Sequence, residues 1–342
     1  MTCAEPISPP RQTSLPLSIL DRANTRTGSS AGAVLHDVIT RAQHAETLGY
    51  HRFWVAEHHA VPGIAGSTPA VLMAAIAQAT QTIRIGSGGI MTPSHQPLVA
   101  AEYISTLEAL FSSRIDIGLG SSVGFTAPIR RALHQQHADR YHFPEQLREI
   151  IALLNGTAEI TLQPPNEATT PLFVLASKRS VATAAEVGAG VVIGGPALPQ
   201  FSVAHREELA AYRDEFVPDP HRNQQPRVIL SLNVAVAETE AHAHDLLLSE
   251  AWAMARSRNV GAFPPLDDPT EVRHALDHAT ARERAHTDEH LAQGLAGTPE
   301  TVAARVRELA EFYEADEVLV TGGIFDPADR LAVDKQLIAA WG

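Results

Sequence analysis

Strand-like and helix-like segments alternate along most of this chain, an order that a parallel sheet covered by helices accommodates. Short apolar runs at Leu17–Leu20, Arg52–Ala56, Thr82–Ile90 and Arg114–Gly120 read as the first four strands. After the first, Val34, Val38, Ala42, Ala45 and Leu48 recur at helical spacing up to Gly49, a C-cap residue. Helices are predicted over Pro69–Thr80 and Pro97–Leu110. The second half continues with strands at Leu172–Ala176, Gly190–Gly194, within Val228–Ala237, and at Glu317–Thr321. Thr298-Pro299-Glu300 opens a helix with a capping hydroxyl and a proline at the first helical position. A closing helix is predicted over Pro327–Ala340. Eight strands in this order favour a closed (β/α)8 TIM barrel, a single domain over residues 15–342, above an open doubly wound sheet. Residues 121–143 and 259–296 break the pattern and read as insertions after strands four and seven, the second as a lid or surface insertion. Residues 1–14 are rich in proline and serine and lack the apolar stretch of a signal peptide, so they read as a mobile tail.

Composition narrows the partners. The formal charge of −13 over 342 residues opposes a nucleic-acid partner. A single cysteine, Cys3, forbids an intramolecular disulfide and fits a reducing cytoplasm. No apolar run reaches membrane-spanning length.

The active site of a barrel of this class lies at the C-terminal ends of its strands. That rule selects Glu57-His58-His59 after strand two, Gly88-Gly89 with Thr92, Pro93 and His95 at strand three, and Gly120-Ser121-Ser122 at strand four. It also selects Ser177-Lys178-Arg179 after strand five and Thr321-Gly322-Gly323 after strand eight. Strand neighbours point to opposite faces, so His58 and His59 are not expected to serve one ligand together. His59 reads as a packed or hydrogen-bonded neighbour. Glu57 either orients a histidine or joins a buried ion pair. Histidine titrates near neutrality and suits proton transfer. Two other patterns are discounted. His286-Thr287-Asp288-Glu289-His290 fits a zinc-hydrolase spacing, but among 17 histidines such a match means little. Gly118, Gly120 and Gly124 miss the dinucleotide fingerprint in spacing.

The stretches WVAEHH (Trp54 to His59), GSGGIMTPSHQPLVAAE (Gly86 to Glu102) and RIDIGLG (Arg114 to Gly120) together resemble the bacterial luciferase-like superfamily of flavin-dependent monooxygenases. GTPE (Gly297 to Glu300) and DEVLVT (Asp316 to Thr321) resemble its C-terminal signature, in the family's order. The subgroup most similar is that of secondary-metabolite tailoring oxygenases. The resemblance implies a flavin ring against the end of strand three, beside a non-proline cis peptide matched by Gly88-Gly89. It implies that His58 is the base near the flavin, and that Gly120 and the residues after strands four and five hold the FMN phosphate. Here the sequence departs from the family. Ser121 stands where many relatives carry a phosphate-binding arginine, and Ala176-Ser177-Lys178-Arg179 replaces a glycine followed by two serines. Lys178 or Arg179 can supply the charge from a different strand. These departures fit a two-component enzyme that takes reduced FMN from a separate flavin reductase, acts on a small-molecule substrate and forms a homodimer. Two rivals stay open: a deazaflavin (F420)-dependent oxidoreductase, and a non-catalytic flavin-binding or partner barrel.

Overall fold

The structure, a computed structural model, describes residues 15–135, 142–166, 170–176, 180–194 and 201–342. The first four strands are β1 (Leu17–Asp21), β2 (Arg52–Val55), β3 (Arg84–Met91) and β4 (Ile115–Gly120). They are joined by α1 (Ala31–Leu48), α2 (Pro69–Ala79) and α3 (Pro97–Leu110). The Ser30 hydroxyl caps α1 by accepting the Ala33 N–H, and Gly49 ends it at φ +85°, a left-handed conformation suited to glycine. Val34, Val38, Ala42 and Ala45 form its buried stripe.

Two helices follow β4: α4 (Ala127–Ala132) within the insertion, and α5 (Phe143–Leu154). Then come β5 (Leu172–Leu175), α6 (Ser180–Glu186), β6 (Gly190–Gly194), α7 (Val203–Asp214) and β7 (Val228–Val236). Every adjacent pair from β1 to β7 is parallel. The final strand, β9 (Glu317–Thr321), pairs in parallel with both β7 and β1 and closes an eight-stranded barrel. The expected TIM barrel is therefore present.

Residues 259–296, expected as a lid or surface insertion after strand seven, are an ordered insertion. They form α9 (Pro269–His278), α10 (Ala281–Gln293) and a three-residue strand, β8 (Leu295–Gly297), which extends the edge of β7. These helices pack on α8 (Glu240–Val260), where Leu248, Trp252 and Val272 make a small apolar cluster of their own. The helix starts were marked in the sequence: Asp268 caps α9 ahead of Pro269, and Thr280 and Glu283 form a capping box on α10. High polarity hid them, because α10 buries only Thr287 fully. After β8, α11 (Pro299–Phe312) leads to β9, and α12 (Pro327–Trp341) completes the ring.

Alternation along the strands separates two cores. Phe53 and Val55 face outward into the shell between barrel and helices, while Trp54 faces inward. Inside, Trp54, Phe173, Val192, Ile229 and Leu319 fill the barrel, with Trp54 and Phe173 edge-to-face at 5.2 Å. Gly86 makes room for this plug, since a Cβ there would lie 2.2 Å from Trp54 Nε1. One layer nearer the strand starts, Arg52 pairs with Asp116 at 2.6 Å and Glu317 at 2.8 Å. Ser18 adds a 2.6 Å hydrogen bond to Glu317. This buried ionic layer seals the N-terminal end, so chemistry has the opposite mouth available.

Candidate active site

The end of β2 brings three polar residues to that mouth. Ala56 and Glu57 are buried, and the His58 N–H donates to the Gly66 carbonyl at 2.9 Å, which turns the chain away from the strand. The His58 ring lies parallel to that of Phe125, centroids 5.7 Å apart. Phe125 comes from the insertion after β4, so that segment reaches across the mouth to β2. His58 Nδ1 is buried and has no hydrogen-bond partner among the described residues. Burial, then the positive charge of Arg22, pushes the imidazole pKa down to about 4. At neutral pH the ring is uncharged and has a nitrogen lone pair to accept a proton.

Glu57 serves different histidines. Its carboxylate lies 2.6 Å from His59 Nε2 and 2.9 Å from His95 Nε2, and accepts the Met91 N–H at 3.0 Å. Burial alone would raise its pKa, but these bonds outweigh it and hold the carboxyl below its ordinary value. The same bond raises the pKa of His59. Glu57 thus orients His59 and His95 and ties the end of β2 to that of β3. Three such ligands suit a divalent cation, but donors at one tetrahedral zinc stand roughly 3.3 Å apart. The 2.6 Å contact here is a hydrogen bond. Glu57 and His95 were both visible at strand ends; their pairing across 38 residues was not.

At β3 the Gly88–Gly89 peptide bond is cis, and the register to β4 shifts between Ser87 and Ile90. A Cβ on Gly89 would stand 2.7 Å from the Gly118 carbonyl oxygen, so the close approach of β3 and β4 itself requires glycine. Gly120 ends β4 beside Met91 and Leu175, and Ser121 follows half-buried. Ser177, Lys178 and Arg179 lie outside the described residues.

The far side of the mouth holds a group with no single-sequence signal. Arg22, just after β1, forms an ion pair with Glu250 of α8. Glu250 also accepts the Gly323 N–H at 2.6 Å and the Asn233 amide at 3.3 Å. Burial would raise the Glu250 pKa, yet Arg22 and the Gly323 N–H hold it below its ordinary value. The histidines of the zinc-like pattern separate in role. His286 lies 2.9 Å from the Arg258 guanidinium, a poor place for a cation, while His290 lines a cavity at the barrel mouth.

A closed parallel barrel whose C-terminal mouth holds a neutral histidine with no partner for its Nδ1 among the described residues, and a cis peptide in β3, has the architecture of a barrel enzyme. The chain belongs to the luciferase-like monooxygenase family, an oxidoreductase family whose sequence profile matches residues 15–314. It is 30% identical over 321 residues to the luciferase-like monooxygenase of Escherichia coli (strain K12), covering 92% of this chain and 93% of that one. It is 30% identical over 339 residues to the N-acetyl-S-alkylcysteine monooxygenase of Bacillus subtilis (strain 168), covering 94% and 95%. The crystal structure of apo-MsnO8 shares 31% identity with a TM-score of 0.85, over 96% of this chain and 98% of that one. Two neighbours of lower identity share the fold alone. The oxygenating constituent of 3,6-diketocamphane monooxygenase from Pseudomonas putida, in complex with FMN, has a TM-score of 0.69 at 16% identity, over 95% and 97%. An F420-dependent secondary alcohol dehydrogenase has a TM-score of 0.65 at 14% identity, over 96% and 100%. No helix among the described residues is long and apolar enough to cross a membrane.

Proposed function

We propose that this protein is a monooxygenase that uses reduced FMN and O2 to oxygenate a small organic molecule of secondary metabolism. The observation that carries the reading is His58: a buried imidazole held neutral at the barrel mouth, with Nδ1 unpartnered. Such a group stays uncharged at neutral pH and keeps a lone pair free to take a proton transiently at a reacting atom, a role that oxygenation by a reduced flavin calls for. The flavin, when bound, supplies the oxygen chemistry; the protein supplies binding, orientation and exclusion of water. The residues present fit such a ring. Gly88–Gly89 offers backbone without side chains in β3, and His58 Nδ1, without a hydrogen-bond partner among the described residues, lies just after β2.

Gly120 and Ser121 border the phosphate end, with Ser177, Lys178 and Arg179 as its charged and hydroxyl partners. One of Lys178 and Arg179 is assigned that charge, Arg179 for its forked donors, because Ser121 carries none and β5 ends on the same face as β4. Phe125 covers His58 and restricts water. Glu57 positions His59 and His95 rather than reacting, and fixes the distance between the β2 and β3 ends. With no arginine at 121, the flavin is held weakly when oxidised and is delivered reduced by a separate reductase. The same reading places the enzyme in the cytoplasm as a homodimer. Val71 on α2 and Leu110 on α3, both exposed, give two copies an apolar face. The test is anaerobic titration with reduced FMN and reduced F420 in parallel, followed by mixing with O2. Binding of reduced FMN and its oxidation only with O2 is the expected result.

A further inference from the structure

Four polar atoms without a hydrogen-bond partner among the described residues converge on one small cavity. It has a volume of about 60 Å³ and lies between the ends of β1, β7 and β9 and the helices α8 and α10. Arg22 Nε, Asn233 Oδ1, Thr321 Oγ1 and His290 Nε2 are each buried there without a hydrogen-bond partner among the described residues. An unsatisfied buried polar atom is costly, so several around one void mark a place built for something polar.

Their chemistry specifies what. A carboxylate only accepts, so the Asn233 amide must turn its NH2 to Glu250 and present its carbonyl oxygen to the cavity. Arg22 Nε only donates. Thr321 and His290 can each do either. The void is therefore lined by one fixed donor and one fixed acceptor. It also presents no net charge, because Glu250 already balances Arg22. An anion would face Glu250 and the Asn233 oxygen, whereas a carbonyl alone would leave Asn233 unsatisfied.

Position supports occupancy by part of a substrate. In the closed ring of eight strands, β7 stands opposite β3. A ring seated on the β3 cis peptide therefore faces this cavity across the mouth. Arg22, which lowers the His58 pKa, links the two sides.

We propose that the cavity of Arg22, Asn233, Glu250, His290 and Thr321 is a substrate subsite for a neutral amide, its carbonyl on Arg22 Nε and its N–H on Asn233 Oδ1. The insertion after β7 then has a purpose: α10 contributes His290 and closes the cavity wall. That the amide belongs to the substrate rests on the monooxygenase reading; the cavity's preference for an amide does not.

Three probes of similar size separate the cases: acetamide, acetone and acetate, titrated into the full chain by ligand-observed NMR. Acetamide should bind saturably, with acetone and acetate at least about 10-fold weaker. The Thr321 hydroxyl takes one of the amide's remaining hydrogen bonds, and Thr321→Val removes it at constant shape. It should weaken acetamide about 3- to 10-fold, the scale of one neutral hydrogen bond, without lowering the melting temperature. Ala251→Leu, which fills the void, should abolish binding. Equal binding of all three probes, tightest binding of acetate, or no binding by any would overturn the proposal, the last leaving a water-filled void. Acetamide selectivity in a protein that ignores reduced FMN would overturn the oxygenase reading and leave the subsite standing.

Discussion

The buried imidazole of His58 makes stability depend on pH in a way that can be isolated. In the folded chain its pKa is pushed down to about 4, and an unfolded histidine titrates near its ordinary value of 6.5. Between those values the unfolded chain takes up a proton that the native chain refuses. The stabilisation from neutral His58 is therefore complete above about pH 6.5 and is lost as pH falls, levelling off below about pH 4. The full shift corresponds to about 3 kcal/mol. Between about pH 7.5 and about pH 5 the loss should reach about 2 kcal/mol. His58→Asn removes this titration and leaves most other groups as they were, so the difference between the two proteins isolates it. The assay is urea unfolding of both proteins at half-unit pH steps, with the His58 ring protons followed by NMR. Wild type should lose its advantage over His58→Asn as pH falls. A flat difference, or a His58 midpoint at or above the ordinary value, would refute the claim that burial and Arg22 hold the ring neutral.

Further outcomes are expected. His58→Ala should lower turnover about 100-fold or more while leaving the circular dichroism spectrum unchanged; unchanged product formation would remove His58 from the chemistry. Glu317→Gln should destabilise the protein by about 3 kcal/mol in urea unfolding, because it strips charge from the buried Arg52 layer. A loss well under about 1 kcal/mol would show that Asp116 and Ser18 suffice there. Arg179→Ala should weaken FMN about 10- to 150-fold and leave riboflavin, which lacks the phosphate, nearly unchanged. Equal losses for both would mean that Arg179 acts through structure.

Much of the barrel was legible in the sequence because its signals are local. Pro97 and Leu110 bound α3 as expected, Gly49 caps α1, and Thr298 caps α11 ahead of Pro299. The eight barrel strands fall within a residue or two of their apolar runs. The helices α9 and α10 were hidden by polar faces, although their capping residues were present. Strand β8 is three residues long and has no pattern to read. The site was legible only where neighbours in sequence act together. His58 and Gly88–Gly89 stood out at strand ends. Phe125 over His58, His95 on Glu57 and Glu250 on Arg22 are contacts across 67, 38 and 228 residues respectively. No periodicity in a single chain encodes such pairings; only the closure of the barrel creates them.

The most direct test is an anaerobic titration of the purified protein with FMN in both redox states, with reduced F420 as a competitor. Reduced FMN should bind at about one per chain, more tightly than oxidised FMN, which should be lost on gel filtration. A protein that stays yellow with stoichiometric oxidised FMN would contradict the weak phosphate site drawn from Ser121. A protein that ignores reduced FMN, or prefers reduced F420, would contradict the monooxygenase reading itself.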